Sequence, residues 1–206
     1  MRAILVAIIP LMFFSGCIGV TDFYGKTLHP SPIVEFELYD EHGEQFNLSM
    51  IDSDVIMVGF IHTSCGEECD NLTSSMHQAY NLLSTRDQER VTLLSITTDP
   101  WHDNSNRLFH YKINNSVDWT HLTVRDINAD LAMIESIWAS FGTSIAIVEN
   151  QTESLARCSI HLMNYTVDHT IHAILIDHER NARVQWEYSK WNSEDVAADI
   201  RRLASE

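Results

Sequence analysis

The run Val55-Ile56-Met57-Val58-Gly59-Phe60-Ile61 carries no polar side chain. So short an apolar segment, bounded by polar residues, reads as a strand covered on both faces, because a half-buried strand would alternate. A strand of that kind needs a sheet with layers packed on each side, which points to an α/β architecture. Val91 to Thr97 and Ala173 to Ile176 read as further core strands. After the first of these runs, Glu68 to Ser84 is predicted to be helical, with Leu72, Met76, Tyr80 and Leu83 at helical spacing.

The other elements are shorter. Val34 to Leu38 and Gln45 to Leu48 alternate around a turn at Asp40 to Glu44, predicting a small hairpin. Asn104 to Tyr111 reads as a short helix and His121 to Val124 as a short strand. Ile127 to Phe141 reads as a longer helix stopped by Gly142, and Ser144 to Val148 and Met163 to Val167 as extended. Asp177 to Asn181 turns the chain into Arg183 to Trp186, and a last helix runs from an N-cap at Ser193 to about Leu203. Strand, helix, strand, helix, antiparallel hairpin and final helix is the order of a thioredoxin-like fold. The expectation is a central mixed sheet flanked by helices, with an N-terminal β-hairpin.

The N-terminus bears on compartment. Met1-Arg2 precedes an apolar stretch from Ala3 to Phe14, broken by Pro10, that is too short to span a bilayer and suits a secretory signal. It ends in Phe14-Ser15-Gly16-Cys17, which resembles the lipobox of prokaryotic lipoproteins. Residues 1–16 are therefore read as a lipoprotein-type signal peptide and Cys17 as the lipidated residue, anchoring an extracytoplasmic protein to the cell membrane. Residues 17–33 read as a tether and residues 34–206 as one domain.

Acidic residues number 29 and basic residues 13, a formal net charge of −16. Such a surface repels nucleic acid and is compatible with a cationic cargo or a basic partner. No Ser-His-Asp order or phosphate-cradling glycine loop stands out.

Of the 4 cysteines, Cys158 has no assigned role, and Cys65 and Cys69 form the informative pair. In Phe60-Ile61-His62-Thr63-Ser64-Cys65-Gly66-Glu67-Glu68-Cys69 they lie where a buried strand passes into a helix. A helix beginning near Gly66 brings both sulfurs to one side of the loop and first turn. Free N–H groups at the helix start favour thiolates, and soft thiolates select copper(I). His169, in Val167-Asp168-His169-Thr170, precedes a core strand that would lie against this corner and so supplies a third ligand. Three other readings use the same residues: a structural disulfide, a zinc site recruiting His62 and His172, and a dithiol reductase. Two of them meet objections. A bridge over so short a loop restrains the unfolded chain little, and His172 should face away from His169 on an extended segment. His62 is near enough to influence a bound copper ion.

Three motifs in register resemble the Sco/SenC family: Phe60 to Cys69, then Asp99-Pro100-Trp101-His102-Asp103, then Val167 to Thr170. The resemblance spans about Val34 to Leu203. It implies copper, one ion per chain, held by Cys65, Cys69 and His169, and a binding protein rather than an enzyme. The implied partner is the copper subunit of cytochrome c oxidase, whose dinuclear site receives the ion, or another extracytoplasmic cuproprotein. Some relatives are instead regarded as thiol–disulfide reductants, which would use Cys65 and Cys69 as a redox pair. Asp168 would orient the His169 ring, and Asp99 and Asp103 would serve structure or docking. Family members often carry proline beside both cysteines, where this chain has Gly66 and Asp70.

Overall fold

A computed structural model describes residues 22–149 and 165–206; the segment 1–16, Cys17 and Cys158 lie outside the described residues. The first half of the chain forms β1 (Lys26–Pro32), β2 (Glu37–Tyr39), β3 (Gln45–Asn47), β4 (Val55–Ile61), α1 (Glu67–Asn81), α2 (Thr85–Gln88) and β5 (Val91–Thr97). Then follow α3 (Ser105–Asn114), β6 (Thr120–Leu122), α4 (Ile127–Ser140), β7 (Ile145–Glu149), β8 (Tyr165–His169), β9 (His172–Ile176), β10 (Asn181–Glu187) and α5 (Ser193–Leu203).

A 6-stranded mixed sheet runs in the order β1-β10-β9-β4-β5-β6. β4 is parallel to β5 and β5 to β6, while β9 is antiparallel to both β4 and β10. Every residue of β4 is buried, as its apolar run requires. Its side chains alternate between two cores, following the period of a strand. Val55, Met57 and Ile61 join Leu72 and Met76 of α1 and Val196 and Ile200 of α5. Ile56, Val58 and Phe60 face the other way, onto Leu38 of the β2–β3 hairpin and Ile134 and Trp138 of α4. This is the expected thioredoxin-like architecture, with the small hairpin present. At Gly59 a Cβ would stand 2.6 Å from Met76 Sδ, so α1 lies closer to β4 than a side chain there would allow.

Two details differ from the sequence reading. Residues 26–32, assigned above to the tether, form an edge strand paired antiparallel to β10, from Lys26↔Gln185 to Pro32↔Asn181. Pro30 and Pro32 are tolerated there because an edge strand can spare N–H donors, and its mostly exposed side chains leave no apolar alternation to read. The N-cap of α5 is Asn192, whose side chain accepts from Glu194 N at 3.0 Å and Asp195 N at 3.2 Å, rather than Ser193. Ser193 Oγ instead donates to Gln78 Oε1 at 2.9 Å. β7 and β8 stand apart from the main sheet as a separate antiparallel ribbon, with Ile145 opposite His169. No helix among the described residues is long and apolar enough to cross a membrane.

Candidate metal centre

At the end of β4 the chain turns at once, with Cys65 N donating to the His62 carbonyl at 3.1 Å. Gly66 then caps α1 at φ +75° and ψ −147°, a backbone conformation essentially confined to glycine. Cys65 therefore sits in the turn and Cys69 in the first helical turn, and the two are joined as a disulfide. Glu67, Glu68 and Asp70 occupy that first turn, where carboxylates complement the positive end of the helix dipole.

The glycine accounts for one departure from the family pattern, because proline fixes φ near −65° and cannot adopt this turn. Gly66→Ala is expected to lower the unfolding free energy by about 1–3 kcal/mol through backbone strain. Nothing lies within 4 Å of a Cβ built there, so no steric clash contributes. Urea unfolding of the variant checks this, and an unchanged midpoint would contradict the strain argument.

Asp103 holds the turn from behind and is 1% exposed. Thr63 N donates to its Oδ2 at 3.0 Å, Thr97 Oγ1 donates to the same oxygen at 2.7 Å, and Thr63 Oγ1 donates to Oδ1. Asp99 acts at longer range: Tyr165 Oη donates to its Oδ1 at 2.8 Å, pinning the start of β8 to the loop after β5. Burial raises the Asp99 carboxyl above its ordinary value, and the Tyr165 bond works against that rise. The Tyr165 phenol is raised by burial and by the bond to Asp99.

β8 ends at His169, which the fold delivers onto the cysteines. Its Nε2 lies 3.8 Å from Cys65 Sγ and 3.6 Å from Cys69 Sγ. Its Nδ1 is 3.1 Å from the Thr170 carbonyl, which can only accept, so Nδ1 carries the proton and Nε2 turns a lone pair toward the sulfurs. Burial, with the neighbouring His62, pushes the His169 pKa down to about 4, leaving the ring neutral at pH 7. Asp168 does not orient the ring as expected. It is exposed, and among the described residues no hydrogen bond joins it to His169; the Thr170 carbonyl takes that part.

His62 contributes more than its sequence context suggests. It is 5% exposed, and its ring centroid lies 5.3 Å from that of His169. One nitrogen of each ring and Cys65 Sγ all lie within 4.8 Å of one another. The His62 Nδ1 is 3.1 Å from Ser64 Oγ, and burial lowers its pKa below the usual histidine value. A His-x-x-Cys spacing across a tight turn was the available signal. His172, by contrast, is fully buried elsewhere, its Nε2 3.2 Å from Thr143 Oγ1 and its ring against Phe60, so it does not join the site. Cys69 is 0% exposed while Cys65 is partly exposed, at the edge of a cleft of about 250 Å³ that Glu68, Asp99 and Tyr165 also line.

A thioredoxin-like sheet whose Cys-x-x-x-Cys corner faces a neutral histidine defines a class of thiol-redox and metal-handling domains. The sequence pattern of the SCO1/SenC family matches residues 26–205, and the chain belongs to that family. It is 26% identical over 144 residues to the SCO2-like protein RP587 of Rickettsia prowazekii, covering 69% of this chain and 62% of the length of that relative. Among solved structures, apo Sco1 from Thermus thermophilus superposes with a TM-score of 0.70 at 23% identity, covering 90% of this chain and 99% of that one. Yeast Sco1 with copper bound superposes with a TM-score of 0.68 at 18% identity, covering 86% and 90%. At those identities the superpositions establish the shared fold.

Proposed function

We propose that this protein is a membrane-tethered metallochaperone. It takes one copper ion as cargo through Cys65 Sγ, Cys69 Sγ and His169 Nε2, and delivers it to the dinuclear site of a cytochrome c oxidase or to another extracytoplasmic cuproprotein. The observation that carries this reading is the convergence of two sulfurs and an imidazole lone pair from residues distant in sequence. The donors suit copper: thiolates are soft ligands favouring the reduced ion, and imidazole serves both oxidation states. Loading requires the disulfide first to gain two electrons and two protons from a partner dithiol, which is itself oxidised to a disulfide. Copper then displaces the thiol protons. The lipobox-like segment ending at Cys17 supports a lipid anchor on the outer face of the membrane.

A second reading, a thiol–disulfide reductant, is favoured by the unequal exposure of the two sulfurs. Cys65, partly exposed, suits attack on a partner, and buried Cys69 suits resolution of the mixed disulfide.

Anaerobic titration of the reduced protein with copper(I), beside His169→Ala, separates the readings. One ion per chain is expected, with affinity falling more than about tenfold in the variant, a loss at least as large as removing an outer-shell partner. Equal binding by both proteins, or by neither, would rule out the Cys-Cys-His site and leave the reductant to be judged by its dithiol potential.

A further inference from the structure

We propose that His62 is a second imidazole ligand of the bound ion, making the site one of two sulfurs and two nitrogens that retains copper(II) as well as copper(I). The inference rests on the copper reading above and deepens it. Its ground is the clustering of a His62 nitrogen, Cys65 Sγ and a His169 nitrogen within 4.8 Å. Donors with bonds of about 2.0 and 2.3 Å to one ion stand about 3.3–3.5 Å apart at tetrahedral angles. The three donors therefore need close by at most about 1.5 Å to share an ion.

The surroundings of His62 favour ligation over a packing role. The residue is 5% exposed at the head of the turn that carries Cys65, with the two linked by the Cys65 N to His62 carbonyl bond. That turn is fixed from behind by Asp103 through Thr63, so the position of the imidazole is set before any ion arrives. His62 Nδ1 is matched to the Ser64 hydroxyl, a group that can donate as well as accept and whose side chain is exposed. An ion bound at Nδ1 would replace that hydroxyl without leaving a buried donor unpaired, since Ser64 would then turn to water. The two imidazoles meet edge to face at 64° rather than stacking, and both line the same cleft as Cys65.

The chemical consequence concerns oxidation state. Two thiolates and one imidazole make a three-coordinate site, congenial to copper(I), whereas a fourth donor, the second nitrogen, suits the tetragonal preference of copper(II). His62 thereby sets how well the protein holds its cargo after oxidation.

The test uses reduced protein loaded anaerobically with copper(II) and read by pulsed electron paramagnetic resonance, with histidine labelled by nitrogen-15. Two coupled imidazoles are expected in the unmodified protein, with no substitution to threaten the fold. A single imidazole, or a signal that decays to silent copper(I), would overturn the proposal. In parallel, His62→Phe should lower the ratio of copper(II) to copper(I) affinity by about tenfold or more, while Ser64→Ala should leave that ratio intact. An unchanged ratio in a folded His62→Phe also counts against it. Failure of His169→Ala to weaken copper(I) binding would instead strike the underlying copper reading, so the two failures are distinguishable.

Discussion

Acidification from pH 7 to pH 4 is expected to cost the folded domain about 3 kcal/mol of unfolding free energy from each of the buried histidines His121 and His172, beside the contribution of His169, whose pKa is likewise held to about 4. His121 and His172 are both 0% exposed. Burial is the largest cause in each case and pushes their pKa values down to about 4. The geometry supplies the reason. His121 Nδ1 donates to the Trp119 carbonyl at 3.0 Å, and the ring stacks on Trp119, leaving Nε2 buried with no partner among the described residues. His172 meets Thr143 through Nε2, and its Nδ1 likewise has none among them. A proton added at either bare nitrogen would place a charged N–H where none of the described residues accepts it.

The sign follows from proton uptake. Below about pH 6.5 the unfolded chain binds protons at these histidines that the native state refuses until about pH 4. Stability present above the unfolded value is therefore lost across that window. Glu41 and Asp177, both held below the ordinary carboxylate range in the fold, extend the loss at lower pH. Asp99 and Asp199, raised by burial, work in the opposite sense. Urea unfolding at several pH values between 7 and 4 measures the slope. His121→Phe should remove about 3 kcal/mol of the loss, and a flat profile between pH 6.5 and 4 would contradict the assignment.

Asp103→Ala is expected to destabilise the protein by about 3–5 kcal/mol, because the loss strands buried donors rather than merely removing a contact. Thr63 N, Thr63 Oγ1 and Thr97 Oγ1 all donate to this carboxylate. Asp103→Asn keeps one carbonyl acceptor and should cost less. Copper affinity should fall in both variants along with stability, since Thr63 lies in the turn that carries Cys65. A folded Asp103→Ala protein with the native unfolding midpoint would show that the turn is fixed by other contacts.

The sequence by itself determined those features that depend on local pattern. The uninterrupted apolar run of β4 demanded cover on both faces, and two cores do lie against its alternate side chains. A helix had to follow Cys65, because the periodic Leu72 and Met76 needed a face to bury, and both stand in the core against β4. Family membership was legible from three motifs in register, each short enough to survive without its tertiary context. The edge strand β1 was not legible, since its side chains are mostly exposed and its stability comes from pairing with β10, residues far along the chain.

Only the tertiary structure decided what surrounds the sulfurs. That the Thr170 carbonyl and not Asp168 fixes the His169 tautomer depends on side-chain direction at the end of a strand. That Asp103 braces the turn depends on two loops meeting at adjacent strand ends. His62 and His172 illustrate the limit. Both are histidines beside apolar runs, yet the fold brings one to the cysteines and seals the other against Phe60. Pattern along a chain reports which residues must be buried, whereas the meeting of donor atoms is set by strand order and turn geometry. Those bring together groups that sequence separation keeps apart.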